Sequence, residues 1–459
     1  MSYQETLQYL YTATPVFEKT GISAYKPGLA TMETLSTHCG HPHAAYHTIH
    51  VAGTNGKGSV CHLLAAVLSS AGYKVGLYTS PHLVDFRERI QVNGQWIPEN
   101  YVIDFVDSYK SFFEPLNPSF FEVTTALAFS YFRDAGVEVA VIETGLGGRL
   151  DSTNIISPVL SIITAIGRDH TNLLGEDPEA IASEKAGIIK HKVPVVLGYD
   201  IRSDRDGVYG ILQERAKDCN AAIHSAWDDK QLCRFYTDFS TVTNPAGRTY
   251  ITAAESCFDS RLYGRIHTSL TGEAGRANAA TVLTALGVLT SQGFTFTHQH
   301  VAEGFAHVDR LTGLKGRWQQ LSSCPLVICD GGHNADAWKH IKEQIVAYDK
   351  RGRFGRLHFV LGFSADKDIE AIIPYLPLSY SSAVFYFTQA SVSRALEAHT
   401  LLDKIKAHGA VNGKAYPTVA EALAEALGVV EQEDFLFIGG SFFVVGEALP
   451  LFERFKVNT

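Results

Sequence analysis

The sequence predicts an α/β protein with two domains, each built on a mostly parallel β-sheet. Short strands rich in β-branched residues alternate with amphipathic helices along most of the chain. Two nearly continuous apolar runs, VEVAVIETG and VLSIITAIG, are typical of parallel strands buried on both faces. The length of 459 residues exceeds what one hydrophobic core usually supports, which favours two domains over one.

The elements of the first domain, residues 1–311, follow from this alternation. The strand YHTIHVAG is followed by a helix whose apolar residues recur at helical spacing. YKVGLYTS, the two apolar runs and VPVVLG predict further strands. Helices are expected over 122–135, from Asp177 onward and over 274–291. Residues 200–272 are less regular, and we expect them to form a peripheral segment of this domain.

A second strand–helix series predicts a C-terminal domain over residues 312–459. Its strands are PLVICDGG, RLHFVLGF, SAVFYFTQ and DFLFIGGS. Its helices are expected around 334–349, 366–375, 394–408 and 418–430. The boundary between the domains should lie within AHVDRLTGLKGRWQQ.

Composition narrows the function classes. A net charge of −9 argues against a nucleic-acid partner but leaves small anionic ligands open. The N-terminus has no signal-peptide pattern, and no stretch reaches the ~18–20 apolar residues of a membrane span. Seven scattered cysteines suit reduced thiols. We therefore expect a cytoplasmic protein, a monomer that acts on small molecules and has no membrane partner.

The segment THCGHPH concentrates potential metal ligands, namely His38, Cys39, His41 and His43. Their spacing matches no standard zinc template. The pattern favours surface histidines in a Gly/Pro loop, with a zinc site as the alternative.

A glycine-rich turn lies between the first strand and its helix, in HVAGTNGKGS. Gly53, Gly56 and Gly58 would let backbone N–H groups surround an anion at a helix N-terminus, and Lys57 adds a positive charge. The usual nucleotide loop places a hydroxyl directly after its lysine, whereas here Ser59 comes one residue later. An ordinary glycine-rich turn is the alternative.

Three side chains that suit a hard metal ion come at or just after the ends of predicted parallel strands. They are Ser80, Glu143 and His170. Because the carboxyl ends of parallel strands share one edge of the sheet, we expect them beside the glycine-rich turn. A hydroxyl, a carboxylate and an imidazole there would suit Mg²⁺ entering with nucleotide phosphates. The alternatives are that Glu143 caps a helix and that His170 is a hydrogen-bonded histidine of a loop.

A set of motifs occurs in the order found in one enzyme family. The motifs are HVAGTNGKGS, YTSPHL, ETGLGGRLDSTN, DHTNLLG, SEKAGI, DGGHN, DKD and GGS. The chain resembles, over nearly its whole length, the folylpolyglutamate synthases and bacterial dihydrofolate synthases of the Mur ligase superfamily. Lys-Gly-Ser is this family's version of the phosphate loop.

The resemblance implies an N-terminal P-loop ATPase domain, a smaller Rossmann-like C-terminal domain, and ATP held between them. It assigns ATP binding to Thr54, Asn55, Gly56, Lys57, Gly58, Ser59, Asn278, Arg317 and Asp330, with His333 beside Asp330. It implies two Mg²⁺ ions, one at Ser80 and Glu143 and a second near Glu143 and His170. Lys185 resembles the family lysine that is carbamylated and becomes an anionic oxygen donor; a solvated helix lysine is the alternative.

The pteroate pocket is also implied by the resemblance. Its residues would be Phe120, Phe121, Glu122, Leu150, Asp151 and Ser152. Core packing is the alternative for the two phenylalanines. SPHLVDFRERIQVNG resembles the loop that closes over folate, in which Arg87 or Arg89 would pair with a carboxylate or else be solvated.

The implied reaction is ATP-dependent addition of L-glutamate to dihydropteroate, to the γ-carboxylate of folate, or to both, through an acyl phosphate. Lys57, Lys185 and His333 are its catalytic candidates. A Mur-type cell-wall ligase is one alternative, disfavoured by SPHL…RER and by a phosphate loop that begins already at Gly53. A nucleotide switch or transport ATPase is another, disfavoured because NKxD and LSGGQ motifs are missing from the sequence.

Overall fold

The computed structural model describes residues 1–14, 28–169, 175, 177–201, 207–229, 232–243, 247, 249–352 and 354–457. The chain folds into two compact units. The first comprises Met1–Phe235, Phe258–Thr268 and Arg276–Leu314, and the second comprises Tyr236–Cys257, Ser269–Gly275 and Lys315–Thr459. Residues 236–257 and 269–272 were expected in the peripheral segment of the first domain, whereas they group with the second unit.

The strands and helices alternate along the chain. The strands are β1 His47–Ala52, β2 Val75–Tyr78, β3 Ile90–Val92, β4 Gln95–Trp96, β5 Val139–Glu143, β6 Leu160–Ile163, β7 Val195–Leu197, β8 Ile223–Ser225, β9 Leu232–Thr243, β10 Thr249–Ser260, β11 Gly264–Thr268, β12 Gln319–Ser323, β13 Leu326–Asp330, β14 Leu357–Leu361, β15 Ala383–Phe387, β16 Gly413–Ala415 and β17 Phe435–Gly439. The α-helices are α1 Tyr3–Ala13, α2 Ala30–His38, α3 Lys57–Ser70, α4 Glu99–Phe113, α5 Phe120–Asp134, α6 Pro178–Ala186, α7 Val208–Asp218, α8 Gly272–Ser291, α9 His298–Ala306, α10 Val308–Thr312, α11 Ala335–Gly352, α12 Ile369–Ile372, α13 Ala398–Lys406, α14 Val419–Val429 and α15 Phe442–Val457.

The sheet of the first unit has the order β4-β3-β2-β5-β1-β6-β7-β8. From β2 to β8 along this order, adjacent strands pair in parallel, as their apolar sequences predict, whereas β2 pairs antiparallel with β3. Val51 of β1 is in register with Glu143, so these two strands end side by side. The parallel strands therefore bring the phosphate loop and Glu143 to one edge of the sheet.

One edge of this sheet differs from the prediction. The segment SPHLVDFRERIQVNG, expected to be a flexible loop, contains β3, which pairs antiparallel with the following β4 around a tight turn. Asn93 and Gly94 occupy this turn with φ values of 47° and 74°. Asn-Gly is the preferred pair for such a hairpin, because both residues tolerate positive φ. The sequence therefore contained a hairpin signal at this point.

The second unit contains a sheet of order β12-β13-β17-β14-β15-β16. Only the β12–β13 pair among these described strands is antiparallel. A buried aromatic and aliphatic core, including Trp338, Phe359 and Phe437, packs with the sheet. Asp330 and Gly439, the last residues of β13 and β17, are in register, which again aligns polar loops at one sheet edge.

Residues 200–272 contain more regular structure than the sequence suggested. They include α7 and a three-stranded sheet of order β11-β10-β9, in which β9 and β10 each span 12 residues. Two helices of the C-terminal series are also shorter than expected: α12 covers Ile369–Ile372 and is followed by a 3₁₀ turn, and α13 begins only at Ala398. Within the described parts of the chain, no helix has the length and hydropathy required to cross a bilayer.

Candidate active site

The glycine-rich turn connects β1 to α3. Its backbone conformation and close contacts require glycine at two positions, Gly53 and Gly56. Gly56 has φ 87° and immediately precedes α3; among the described residues, no side chain caps this helix start. A Cβ atom on Gly56 would lie 2.5 Å from Oδ1 of Asn278, and one on Gly53 would overlap Oγ1 of Thr164. An uncapped helix N-terminus, left-handed glycine backbone and an adjacent lysine fit a bound phosphate chain.

Hydrogen bonds from the neighbouring strand end hold this turn in place. Thr164 Oγ1 donates to the carbonyl of Asn55 at 2.7 Å. Thr54 Oγ1 donates to the carbonyl of Gly167 at 2.9 Å and accepts from the Gly167 N–H at 3.0 Å. The turn is therefore preorganised before any ligand binds. The sequence analysis did not single out Thr164, although it is a polar residue at the end of an apolar strand.

Two lysines meet at the carbonyl of Gly53. Lys57 Nζ and Lys185 Nζ each donate to this oxygen at 2.9 Å, and Lys57 also donates to the carbonyl of Thr54 at 3.2 Å. Lys185 is only 3% exposed, so the alternative of a solvated helix lysine is wrong. Burial, and secondly the charge of Lys57, lower the pKa of Lys185 to about 7.

Glu143 lies on the strand next to β1, in register with Val51. It ends β5, is 3% exposed, and its Oε2 accepts a hydrogen bond from the Ser80 N–H at 3.1 Å. The structure thus brings Glu143 and Ser80 together at the sheet edge that carries the phosphate loop. His170 lies outside the described residues. Within the described ranges, no group of three or more His, Cys, Asp or Glu side chains is arranged to hold a metal ion.

The histidines of THCGHPH make packing contacts. The His38 ring stacks on Phe112 with centroids 3.5 Å apart. His43 Nδ1 hydrogen-bonds with Ser36 Oγ at 3.0 Å. Cys39 is buried, and burial raises the pKa of its thiol. A raised thiol pKa disfavours the thiolate that zinc requires.

The loop after β5 is organised by Asp151. Its Oδ2 accepts from the Leu146 N–H at 2.8 Å and its Oδ1 from the Thr153 N–H at 3.0 Å. Thr153 Oγ1 in turn pairs with Nε2 of the fully buried His50 at 2.8 Å. This link joins β1 to the loop of the expected pteroate pocket, and no local sequence pattern predicts it. Leu150 and Ser152 flank Asp151 and are partly exposed.

The remaining pocket candidates divide into core and surface positions. Phe120 is 1% exposed, stacks on Tyr11 and is a core residue. Phe121 is partly exposed and lies so close to Gly145 that a Cβ there would meet its ring at 2.6 Å. Glu122 is buried and forms a capping box with Ser119 at the start of α5. Of the two phenylalanines, Phe121 is therefore the one that is partly exposed.

The two candidate arginines have different surroundings. Arg87 forms ion pairs with Asp85 at 2.8 Å and Glu99 at 3.1 Å. Arg89 is 1% exposed, and its Nε donates to His82 Nδ1 at 2.7 Å. Solvation, the alternative for both, is wrong for Arg89. A substrate carboxylate would have to compete with two carboxylates of the protein for Arg87.

In the second unit, Asp330 fixes the turn after β13. Its carboxylate accepts from the N–H groups of Trp318 and Gly332, each at 2.7 Å. Burial raises the pKa of Asp330, and the charge of Arg317 opposes this shift. The Arg317 guanidinium lies 4.2 Å from the ring centroid of Phe442, and the His333 ring packs against the same phenylalanine. Arg317, Asp330 and His333 thus form one cluster.

Comparisons with known proteins decide the family. The Mur ligase middle domain matches residues 51–286, and the Mur ligase glutamate ligase domain matches residues 316–442. The dihydrofolate synthase/folylpolyglutamate synthase of Bacillus subtilis (strain 168) is 34% identical over 384 residues, 81% of this chain and 84% of that protein. This chain belongs to that family of Mur ligases. The enzyme of the same name from Escherichia coli (strain K12) is 30% identical over 93% of this chain and 91% of its own length.

Solved structures agree with this family membership. Escherichia coli FolC in complex with DHPP and ADP has a TM-score of 0.79 and 28% identity, and covers 99% of both chains. Mycobacterium tuberculosis folylpolyglutamate synthase complexed with ADP has a TM-score of 0.79 and 27% identity over 98% of both chains. The predicted α/β Mur ligase fold is confirmed, and the chain is a ligase. Of the three functions considered, the comparisons favour the folate-branch ligase over the cell-wall ligase and the nucleotide switch.

Proposed function

We propose that this chain uses ATP to form an amide between L-glutamate and a pteroyl carboxylate, releasing ADP and phosphate. The acceptor would be dihydropteroate, the γ-carboxylate of a folate, or both. The observation that carries the proposal is the convergence of Lys57 and Lys185 on the Gly53 carbonyl, beside a strand that ends in buried Glu143. In a folylpolyglutamate and dihydrofolate synthase family member, this is the place for phosphoryl transfer.

Amide formation from a carboxylate and an amine is unfavourable in water, so the carboxylate must first be activated. The uncapped N–H groups at the start of α3 and the ammonium of Lys57 would neutralise charge on the γ-phosphate while the carboxylate attacks it. The product is an acyl phosphate, whose carbonyl carbon glutamate's amine then attacks. Because charge and alignment govern phosphoryl transfer, a preorganised loop supplies much of the rate.

We also propose that Glu143 and Ser80 hold Mg²⁺, together with His170 from outside the described residues. The buried Glu143 carboxylate is a hard oxygen donor of the type that Mg²⁺ prefers. When bound, Mg²⁺ would offset negative charge on the phosphates. A second ion stays a prediction.

Lys185 is proposed to carry a carbamate. Burial and a pKa of about 7 leave a large share of its amine neutral near neutral pH, and only the neutral amine attacks CO₂. A nitrogen–carbon bond forms, the nitrogen loses a proton, and the side chain changes from cation to anion. The carbamate would then face Lys57 as an opposite charge instead of a like charge.

The other assignments follow from family membership and stay proposals. Asn278 is proposed to contact the nucleotide, and its position against Gly56 supports this. In the second unit, Arg317 and Asp330 are proposed to contact phosphate and ribose, with His333 beside them. Phe121, Asp151 and its neighbours are proposed for the pterin ring. Cytoplasmic location and a monomeric state also stay predictions.

A phosphate-release assay tests the proposed function. Purified protein, ATP, Mg²⁺ and L-glutamate are combined in parallel with dihydropteroate, tetrahydrofolate or a UDP-linked peptide. We expect phosphate release only when all components and a pteroyl acceptor are present, with a glutamylated product seen by mass spectrometry. Activity with the UDP-peptide and none with either pterin would assign the chain to the cell-wall branch. Phosphate release without any acceptor would point to an ATPase instead.

A further inference from the structure

We propose that His50 is a positioning residue for the pteroyl acceptor, and that it acts by orienting Asp151 through the hydroxyl of Thr153. The inference rests on the proposed function, because it takes the loop after β5 as part of the acceptor site. His50 lies on β1, an interior strand of the first sheet, and it is fully buried. A buried side chain does not touch a ligand itself, so any effect on the acceptor must pass through its neighbours.

The donors and acceptors along this chain of hydrogen bonds can be assigned. The ionised carboxylate of Asp151 only accepts hydrogen bonds, so the one hydroxyl proton of Thr153 goes to Asp151 Oδ1. The imidazole of His50 must then donate the 2.8 Å bond from its Nε2 to Thr153 Oγ1. Burial, and secondly the charge of Lys190, lower the pKa of His50 to about 3, so the neutral ring carries its single proton on Nε2. Its Nδ1 has no hydrogen-bond partner in the described part of the chain, which suits a nitrogen without a proton.

This chain completes the set of donors around Asp151. Its Oδ1 accepts from the N–H and the hydroxyl of Thr153, and its Oδ2 accepts from the N–H of Leu146. Burial raises the pKa of Asp151, and these hydrogen bonds oppose that shift because they stabilise the ionised carboxylate. They also close the segment from Leu146 to Thr153 into a fixed turn. Since His50 holds the Thr153 hydroxyl, loss of the imidazole should loosen this turn.

The turn adjoins the place proposed for phosphoryl transfer. Its loop begins directly after β5, whose last residue is the buried Glu143. At the start of the loop, a Cβ on Gly145 would meet the partly exposed ring of Phe121 at 2.6 Å. An acceptor whose carboxylate meets the γ-phosphate beside Glu143 would therefore extend its flat ring toward Phe121 and this turn. A small displacement of Asp151 there should weaken binding of the acceptor.

The glycine-rich turn is held by other groups. Thr54 Oγ1 bonds with the backbone of Gly167, and Thr164 Oγ1 donates to the carbonyl of Asn55. Loss of the imidazole of His50 removes neither of these bonds. It should therefore weaken binding of the acceptor and leave binding of ATP nearly unchanged. A defect of the core as a whole would affect both substrates.

Steady-state kinetics and calorimetry test this assignment. Thr153→Val keeps the shape of the side chain without its hydroxyl, and His50→Leu removes the imidazole donor. Each should raise the KM for the pteroyl acceptor, and the Kd for dihydropteroate or tetrahydrofolate measured with ADP present, by about ten-fold, which corresponds to the loss of one hydrogen bond. The KM for ATP should stay near its wild-type value. The double variant should bind the acceptor no more weakly than Thr153→Val alone, because both residues act through one chain of bonds.

Conservative variants separate positioning from packing. Thr153→Ser keeps the hydroxyl and His50→Gln keeps an N–H donor at a similar reach, so both should recover most of the affinity for the acceptor. His50→Asn keeps a polar group that is too short to reach Thr153, and it should bind the acceptor as weakly as His50→Leu does. If the apolar variants fold poorly, the comparison of His50→Gln with His50→Asn decides, and equal affinity in these two would overturn the inference.

Another buried pair of the same type offers a matched control. His62 Nδ1 and Thr312 Oγ1 also lie 2.8 Å apart, on α3 and α10, and both residues are buried. Thr312→Val should lower thermal stability without changing the affinity for the acceptor. An equal loss of acceptor affinity in Thr312→Val would show a general structural effect and overturn the positioning role. A parallel rise of the KM for ATP in the His50 and Thr153 variants, or additive losses in the double variant, would do the same.

The same measurements distinguish this inference from the proposed function. If the wild-type protein binds dihydropteroate or tetrahydrofolate but ligates glutamate to neither, the proposed function fails, and the Kd values of the variants still decide the positioning role. If ligation is intact and the variants bind the acceptor as tightly as wild type, the positioning role fails alone. If the wild-type protein binds neither compound, both fail.

Discussion

In the eight-stranded and the six-stranded sheet, one strand is followed by a glycine-rich turn and a helix, but only one of these two helices is capped by a side chain of the described residues. In the first unit, Gly56 precedes α3, and no side chain among the described residues caps that helix. In the second unit, Ser441 follows Gly439-Gly440, and its Oγ accepts from the Val444 N–H of α15 at 3.2 Å. Asp330 likewise satisfies the Gly332 N–H.

This difference distinguishes a turn that can bind an anion from a turn whose N–H groups are already hydrogen-bonded within the protein. A helix start leaves N–H groups that need partners, which are either side chains of the protein or a ligand. At the first turn, the backbone N–H groups at the start of α3 have no side-chain cap from the described residues, and Lys57 and Lys185 lie beside them. At the second turn, a side chain of the protein accepts a hydrogen bond from the N–H of Val444. Glycine content alone therefore does not identify a phosphate site. Substitutions in both turns test whether this difference in capping decides which turn binds the nucleotide.

The largest effect is expected at Lys185. Lys185→Ala removes the proposed carbamate and should be nearly inactive, while acetate in the buffer should restore part of the rate by supplying a carboxylate in the space left by the side chain. The measurement is turnover with ATP, glutamate and a pteroyl acceptor. Native mass spectrometry of the folded wild-type protein, without acid, should show the added mass of one CO₂, and Lys185→Ala should lack it.

A matched control is Lys217→Ala, which removes an exposed lysine in the last turn of α7. It should keep wild-type turnover. Full activity of Lys185→Ala, or an unmodified Lys185 in the active protein, would remove the carbamate from the mechanism.

The next effect concerns Lys57. Lys57→Ala removes the cation at the phosphate loop and should lower turnover by on the order of 10²-fold or more, as loss of other electrostatic clamps does. Its hydrogen bonds go to the carbonyls of Gly53 and Thr54 in a partly exposed turn, so thermal stability should change little. Kinetics and thermal unfolding measured side by side check both statements. Turnover near that of wild type would mean that the first turn is no more functional than the second.

The sequence predicted those features that depend on local pattern. The strand ends, the glycine-rich turn and the placement of Glu143 follow from apolar periodicity and from the rule that parallel strands share an edge. The capping box of Ser119 and Glu122 was also readable, since Ser-x-x-Glu precedes the α5 helix. The family resemblance implied a different role for Glu122, as a residue that lines the pterin pocket.

Features built from distant parts of the chain could not be predicted. Lys185 lies 132 residues from its partner Gly53, and SEKAGI by itself is typical of a solvated helix end. The His50–Thr153 hydrogen bond spans 103 residues. Strand β10 has its buried residues only near its two ends, so no continuous apolar run marks it. In each case tertiary packing, rather than local propensity, decides the outcome.

A smaller effect is expected at Gly56. Gly56→Ala forces a left-handed backbone on a residue with a side chain, at a cost of about 1–2 kcal/mol, and also pushes against Asn278 Oδ1. Gly72→Ala, at the other end of α3, is the matched control because its φ is 92° and its Cβ would have open space. Both variants should lose stability in urea unfolding, Gly56→Ala more than Gly72→Ala because of the added contact with Asn278. Only Gly56→Ala should also raise the KM for ATP, and an equal KM in both would show that the turn does not hold the nucleotide.

The smallest effect is expected in the second turn. Ser441→Ala removes the side-chain cap of α15 and should lower the free energy of unfolding by about 1 kcal/mol, the usual cost of losing such a cap. Turnover of the folded protein should stay near wild type, because the hydroxyl is 4% exposed and already bonded within the chain. Ser441→Asp also supplies a capping oxygen, so it should recover most of the stability. Ser441→Ala could instead lose most of its turnover, and Ser441→Asp could restore the stability but not the turnover. That result would mean that the serine contacts a substrate. The second turn would then be a ligand site as well, and capping would no longer distinguish the two units.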